Sequence, residues 1–258
     1  MNAPDQTPLP LTPQIGSLLC DAMQKGKVEV LKDLGSRLTS RHFLIPSHEE
    51  CTPLHKAAIY GLFPWMASIL SPAQDWLTLA DFHRGAFQGG TTPLHPAAGQ
   101  GRLEAAAALL GPEKKGFSQE ELTVFTTNLR YTPLHAAAQR GEFASYVAVL
   151  KMAGEGPAAA PLLMPGSNKK TPLQLAEESG CLRTLFVPAL WAGRTAELME
   201  LTRHVSEEGR RQVDLDRVLH ETLLIGRRRI EPAAFRGAAR AALPLTGAES
   251  WKAGERRP

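Results

Sequence analysis

One tetrad of residues, Thr-Pro-Leu-His, recurs along the chain at a nearly constant interval. It begins at Thr52, Thr92 and Thr132, and a variant that ends in Gln begins at Thr171, so the steps are 40, 40 and 39 residues. A period of about 20 to 50 residues indicates supersecondary units that stack on one another and share a continuous core. The interval therefore predicts an array of similar units.

Each tetrad has the features of a helix start. The Thr hydroxyl can accept a hydrogen bond from an unpaired amide of the first turn, and Pro fits the first helical position, where no N–H is needed. Leu54, Ala57 and Ala58 form an i, i+3, i+4 stripe of small apolar residues, which is repeated in the next two units. The motif residues are Thr52, Pro53, Leu54, His55, Thr92, Pro93, Leu94, His95, Thr132, Pro133, Leu134, His135, Thr171, Pro172 and Leu173.

A glycine follows seven residues after each motif Leu, at a position where helices commonly end in a left-handed residue. These glycines are Gly61, Gly101, Gly141 and Gly180. We expect a two-turn helix from each tetrad to its glycine, and a second helix after it, over residues 62–70, 102–110, 142–150 and 181 to about 187. Pro64 lies in a first turn, where proline is tolerated. The fold class predicted is therefore all-α.

The tetrad with its following Ala-Ala and Gly resembles the motif of the ankyrin-repeat family over residues 15 to about 185. The resemblance implies a solenoid of stacked antiparallel helix pairs with elongated hairpin-like loops, which takes ligands on its concave side. The family is mostly one of protein-binding modules. The resemblance also implies a structural role for His55, His95 and His135, which hydrogen-bond near the Thr and stiffen the loop.

The boundaries of the array follow from where the rhythm weakens. Leu19 to Gly26 overlays Leu54 to Gly61 in degenerate form and predicts a first, capping repeat. Leu219 to Gly226 is a late echo without Thr-Pro. We expect a disordered, proline-rich leader over 1–14, the array over 15–187, a helical C-terminal extension or degenerate capping repeat over 188–245, and a frayed tail over 246–258.

The units are longer than the roughly 33 residues usual for the family, and the surplus falls in the connections 71–91, 111–131 and 153–170. The first two are rich in aromatic and Arg side chains, which interfaces favour. The candidate partner-binding residues are Trp76, Phe82, Arg84, Phe87, Phe117, Phe125 and Arg130. In the alternative interpretation, these aromatic rings fold back onto the helices.

The turn before each tetrad also departs from the family pattern. The usual glycine is present only as Gly90, while Glu50, Arg130 and Lys169 occupy the matching positions. A left-handed turn residue costs more without glycine, so the sequence predicts wider or differently shaped turns at these three positions.

The composition limits which partners and which cellular compartment are expected. The net charge of +3, from 29 basic and 26 acidic residues, is too small to indicate nucleic acid as a partner. Three cysteines without metal-type spacing suit free thiols in a reducing compartment, and no apolar run reaches the roughly 20 residues of a membrane span. We expect a cytoplasmic protein with no metal and no cofactor, or in the alternative a protein delivered into a host cell.

No phosphate-binding loop, zinc-protease motif or cysteine pair indicates an enzyme, and no catalytic residue is assigned. Five histidines outside the tetrads leave open an active site assembled across the fold: His42, His48, His83, His204 and His220. The sequence predicts a non-enzymatic protein–protein interaction module that acts as scaffold, adaptor or inhibitor. Two alternatives remain. In one, a basic C-terminal edge of Arg227, Arg228, Arg229, Arg236 and Arg240 docks nucleic acid or an acidic membrane; in the other, the chain is a bacterial effector that acts on a host protein.

Overall fold

The regular secondary structure of the chain is helical. A computed structural model describes residues 7–47, 50–85, 90–124, 130–187, 190–191 and 193–227, and within these ranges it contains α-helices and short 3₁₀ turns but no β-strand. The prediction of an all-α fold is confirmed. In the same residues no helix is long and apolar enough to cross a membrane.

The α-helices, in chain order, are α1 (Pro13–Gln24), α2 (Val28–Gly35), α3 (Pro53–Tyr60), α4 (Phe63–Ala73), α5 (Leu79–His83), α6 (Leu94–Gly99), α7 (Leu103–Ala107), α8 (Pro133–Arg140), α9 (Phe143–Met152), α10 (Ala159–Leu162), α11 (Pro172–Glu178), α12 (Leu182–Leu185), α13 (Thr195–Arg203), α14 (Glu207–Val213) and α15 (Leu215–Arg227). The 3₁₀ turns are Ser40–Leu44, Ala108–Leu110 and Glu121–Thr123.

Helices α3, α6, α8 and α11, here called the motif helices, begin at the tetrads as predicted. The Thr52 hydroxyl accepts a hydrogen bond from the amide of His55, and Thr132 and Thr171 cap α8 and α11 in the same way. Helix α6 begins one residue later, at Leu94. Gly61 and Gly141 end α3 and α8 with φ of 77° and 80°, the left-handed conformation that glycine adopts without a Cβ clash.

Neighbouring units pack through equivalent helices. Contacts join α1 to α3, α3 to α6, α6 to α8 and α8 to α11, and a second series joins α4 to α7, α7 to α9, α9 to α12 and α12 to α14. The motif Leu and Ala side chains are fully buried between them, as at Leu94, Ala97 and Ala98. Because alanine is small, the motif helices approach closely, and one continuous core runs from Leu19 to Val218.

The connections contain short helical turns rather than extended fingers. Each turn has a fully or almost fully buried side chain: Phe43 in Ser40–Leu44, Phe82 in α5, Leu122 in Glu121–Thr123 and Leu162 in α10. The connections also bond to one another, since the His83 ring lies 3.1 Å from the Glu121 carbonyl oxygen. The residues of these connections therefore add to the core, because they bring large apolar side chains with them.

The turns before the tetrads keep the left-handed residue even where glycine is missing. Glu50, Arg130 and Lys169 have φ of 56°, 41° and 62°, close to the 68° of Gly90. Around Lys169 the turn is tight, because the Gly166 amide bonds to the Lys170 carbonyl at 2.9 Å and the Lys169 amide bonds to Gly166 at 3.0 Å. The prediction of wider turns is wrong here. The hydrogen bonds hold the left-handed backbone conformation seen at Gly90, although a residue with a Cβ atom adopts it at a higher conformational energy than glycine.

Lys169→Gly is therefore expected to raise the free energy of unfolding. A non-glycine residue in this region costs roughly 1–2 kcal/mol, and the added freedom of glycine in the unfolded chain returns part of that, so the net gain is about 0.5–1 kcal/mol. Chemical denaturation measures it. Lys169→Ala is the matched control, since it removes the same exposed charge and keeps the Cβ atom; an equal gain in both variants would contradict the conformational explanation.

The ends of the array differ from expectation in two respects. Residues 7–14 are not a disordered leader, because Leu9 donates its amide to the Arg37 carbonyl at 3.1 Å and its own carbonyl oxygen lies 3.0 Å from the His42 ring, while α1 starts at Pro13. Near the C-terminus α13, α14 and α15 continue the helical structure as far as Arg227. The late echo is the second half of α15 rather than a separate helix.

Residues 1–6 and 228–258, with the expected frayed tail, lie outside the described residues. So do most of the arginines of the basic C-terminal edge: Arg228, Arg229, Arg236 and Arg240.

Candidate binding groove

The motif helices and the turns before α6 and α8 enclose a groove of about 490 Å³. We call it the motif groove. Its lining is contributed by α3, α6 and α8 on one side and by residues 91 and 131 of the turns on the other: His55, Ile59, Thr91, His95, Pro96, Gly99, Gln100, Tyr131, Ala136, Gln139 and Arg140.

Motif histidines connect each motif helix to the turn of the following unit. The His95 Nδ1 accepts the Thr92 amide at 3.2 Å, and its Nε2 lies 2.8 Å from the Tyr131 carbonyl oxygen. Because an amide only donates and a carbonyl only accepts, His95 is the neutral tautomer protonated at Nε2. His55 reaches the Thr91 carbonyl oxygen at 2.9 Å in the same manner. These rings fix the floor of the motif groove and the two turn residues that line it.

The third motif histidine and its successor depart from this pattern. His135 accepts from the Thr132 amide at 3.2 Å, but its Nε2 has no hydrogen-bond partner of good geometry among the described residues. In the fourth tetrad Gln174 replaces His, and its Oε1 accepts the Thr171 amide at 2.9 Å. An amide side chain can therefore make the same cap without a titratable group.

Burial keeps the motif histidines neutral. It lowers the pKa of His55 to about 4 even though the Thr91 carbonyl acts in the opposite direction. Burial likewise lowers the pKa of His135 to about 4 and that of His95 below its ordinary value. Burial also raises the pKa of the Tyr131 hydroxyl. The floor of the motif groove is consequently uncharged at neutral pH.

The motif groove is open in one unit and bridged in the next. The Tyr131 hydroxyl donates to the Gln139 Oε1 at 2.5 Å, which joins the turn to α8 across the groove. Lys170 and Glu178 make an ion pair at 2.7 Å with the same eight-residue spacing. At the equivalent pair of positions in the preceding unit stand Thr91 and Gly99, and Gly99 has no side chain. Space over α6 is therefore left between Ile59 and the Tyr131–Gln139 bridge.

One side chain of the lining is charged at neutral pH. Arg140 is exposed at the C-terminus of α8 and makes no ion pair with any described residue. Burial raises the pKa of the Tyr131 hydroxyl and the Arg140 charge acts in the opposite direction, so the guanidinium lies within electrostatic reach of the ring. The site therefore combines an apolar, neutral floor with one accessible cation.

The candidate contact residues in the connections differ in how accessible their side chains are. Phe82 and Phe117 are fully buried, with ring centroids 5.5 Å apart in an edge-to-face pair. This corrects the prediction for both, because side chains in the core are not accessible to a partner. Trp76 is half-buried against the backbone of Gly111.

The remaining candidates are exposed or lie outside the described part of the chain. Arg84 and Arg130 are exposed, whereas Phe87 and Phe125 belong to the residues that the structure does not describe. The groove residues Gly99, Tyr131 and Arg140 are absent from the predicted set of contact residues. That set contains only the sequence neighbour of Tyr131, Arg130. Their signal in the sequence is variation: the residue before each Thr and the last turn of each motif helix change from unit to unit, while the tetrad changes only at its last residue, in the fourth unit.

The histidines outside the tetrads do not form a catalytic arrangement in the described residues. His42 accepts the Thr39 amide at 2.9 Å, in a cap of the same kind as the motif histidines, and His204 lies 3.2 Å from Glu200 on the surface. His83 bonds to a backbone carbonyl, His220 is exposed and His48 lies outside the described residues. Within those residues no group of three or more His, Cys, Asp or Glu side chains is placed to hold a metal ion.

Neither the family models nor the curated proteins compared with this chain give a match.

Proposed function

We propose that this chain is an ankyrin-repeat solenoid that acts as a non-enzymatic protein-interaction module and binds its partner in the motif groove. The observation that carries the proposal is the groove itself: an apolar floor fixed by buried caps, continuous over three units, with a polar rim of Gln100, Gln139 and Arg140. An apolar centre with a polar rim is the usual composition of a protein-binding surface.

The repeat assignment is supported by three independent features. The tetrads start helices at intervals of 40, 40 and 39 residues. Equivalent helices contact each other in chain order. The turn residue before each tetrad is left-handed whatever its side chain. Together these support units of one conformation stacked side by side, and in the proposed solenoid the motif groove is the concave side.

Rigidity is the mechanism that the proposal requires. The floor and the turns are held by hydrogen bonds before any partner arrives, so little conformational entropy is lost on binding. Selectivity then depends on how well the partner fits the space between Ile59 and the Tyr131–Gln139 bridge. Scaffold, adaptor and inhibitor roles all follow from such binding.

The test is affinity capture from cell lysate with a pair of matched variants. Ala136 and Ala105 are both half-buried alanines packed against the core, but only Ala136 lines the motif groove. Ala136→Arg is expected to reduce recovery of a specific protein by at least about tenfold, which corresponds to about 1.4 kcal/mol of binding free energy. Ala105→Arg should leave recovery unchanged.

Equal recovery with both variants would contradict binding in the motif groove. Recovery that disappears with nuclease or moderate salt would instead favour the basic C-terminal arginines as the binding element. Cytoplasmic location and delivery into a host cell both stay predictions from the sequence.

A further inference from the structure

We infer that the motif groove selects an acidic segment of its partner, with one aliphatic or aromatic side chain between Ile59, Pro96 and the Tyr131 ring and a carboxylate against Arg140. This inference rests on the proposed function and specifies the chemistry of the partner. It follows from the shape of the open position and from the sign of the charges around it.

The open position is lined mainly by apolar side chains: Ile59, Pro96, Ala136 and the Tyr131 ring. Gly99 itself is buried beneath α8, since a Cβ atom there would lie 3.5 Å from the Cβ of Ala136 and 3.6 Å from the Cγ of Arg140. The apolar side chain of the partner therefore packs between Ile59, Pro96 and the Tyr131 ring.

The charges around this position favour an anion. Among the described residues that line the groove, Arg140 is the charged side chain and none is a carboxylate. Arg130, in the turn next to Tyr131, is also exposed. An acidic side chain beside the apolar anchor therefore meets Arg140 and no opposing carboxylate among these residues.

The nearby carboxylates are engaged elsewhere. Glu178 is paired with Lys170 at 2.7 Å, and Glu142 lies against the backbone of Gly101, outside the lining. The exposed carboxylate of Glu50 lies in the turn before α3, two units away from the turn that contains Arg130. The acidic residues of the bound segment are thus directed toward α8 rather than toward α3.

Synthetic peptides test the inference directly. The probe is a fluorescein-labelled decapeptide with one central leucine flanked by aspartate and glutamate, compared with a second in which lysine replaces every acid and a third in which serine replaces the leucine. Fluorescence anisotropy at about 0.15 M salt, where screening of exposed charges is physiological, measures binding to the full chain. The acidic leucine peptide is expected to bind at least about tenfold more tightly than either comparison peptide.

Two substitutions locate the contacts. Arg140→Gln should weaken the acidic peptide about five- to tenfold and reduce its salt dependence, with little effect on the lysine peptide. Ile59→Ser should weaken the acidic leucine peptide at least about tenfold and leave the serine peptide unchanged, because Ile59 is a half-buried apolar wall of the groove. Circular dichroism and thermal unfolding check both variants.

The outcomes separate this inference from the proposed function. If Ala136→Arg removes the captured partner but acidic and basic peptides bind equally, the groove is a binding site and the acidic selectivity is wrong. Unchanged acidic-peptide affinity in Arg140→Gln would also overturn it. Tighter binding of a single-stranded oligonucleotide than of the acidic peptide would assign the cations to nucleic acid instead.

Discussion

Lowering the pH from 7.5 to 5 is expected to destabilise the protein by at least about 2 kcal/mol, because the motif histidines are buried in neutral form. The pKa of His55 is about 4 in the folded chain, against an ordinary value of 6.5. With these two values, His55 alone accounts for about 2 kcal/mol at pH 5. His95 and His135 add to the loss in the same direction, since burial lowers the pKa of each.

The sign follows from proton uptake. A histidine with a lowered folded pKa binds fewer protons in the native state than in the unfolded state at acidic pH, so its contribution is complete above about pH 6.5 and is lost progressively as the pH falls toward 4. Protonation also converts Nδ1 of His95 from the acceptor of the Thr92 amide into a donor, which breaks the cap. Urea unfolding at half-unit intervals from pH 7.5 to 5 measures the slope.

The fourth tetrad provides the matched control. Gln174 makes the same cap with Oε1, so the combined variant His55→Gln, His95→Gln and His135→Gln should keep the helix starts while removing the titrating groups. We expect this variant to be less stable at pH 7.5 and to lose less of its stability by pH 5. An unchanged slope would assign the acid sensitivity to other groups.

Replacement of Phe82 by alanine is the substitution with the largest expected cost. The ring is fully buried, 6.3 Å from the Phe63 centroid and 5.5 Å from that of Phe117. Loss of a buried Phe typically costs about 3–5 kcal/mol, and the edge-to-face contacts lie within or slightly above that figure. This cost is a large fraction of the total stability of an ordinary domain, which is about 5–15 kcal/mol.

Thermal unfolding compares Phe82→Ala with Arg84→Ala, which lies two residues away in the same connection and is exposed. The Arg84 variant is expected to change stability by less than about 0.5 kcal/mol. If Phe82→Ala were instead to unfold like the unmodified chain and lose partner binding, the aromatic side chains of the connections would be contact residues after all.

The sequence predicts the helices well because their signals are local. A Thr–Pro start, an Ala stripe and a terminal glycine act within ten residues, and the starts of α3, α8 and α11 fall where the tetrads place them. The position of the aromatic side chains is not a local property. Phe82 is in the core because Phe63 and Phe117, from two other segments, leave a space of its shape.

The turns and the groove illustrate the same limit. The missing glycine at Lys169 suggests a wider turn, but hydrogen bonds of the folded loop hold the left-handed conformation there without glycine. The motif groove arises where Gly99, Tyr131 and Arg140 meet across two units. No spacing within one unit indicates that meeting.

The bonds between units have a consequence for protein synthesis. They join residues separated by about the length of one unit: His55 and Thr91 are 36 residues apart, and Arg102 and Ala58 are 44 residues apart. A chain emerging from the ribosome can therefore complete the contacts of one unit as soon as the next has been translated, without waiting for its own C-terminus. If the units fold in this order, the apolar surface exposed at any time is mainly the face of the last folded unit, and chaperones need to shield only that face.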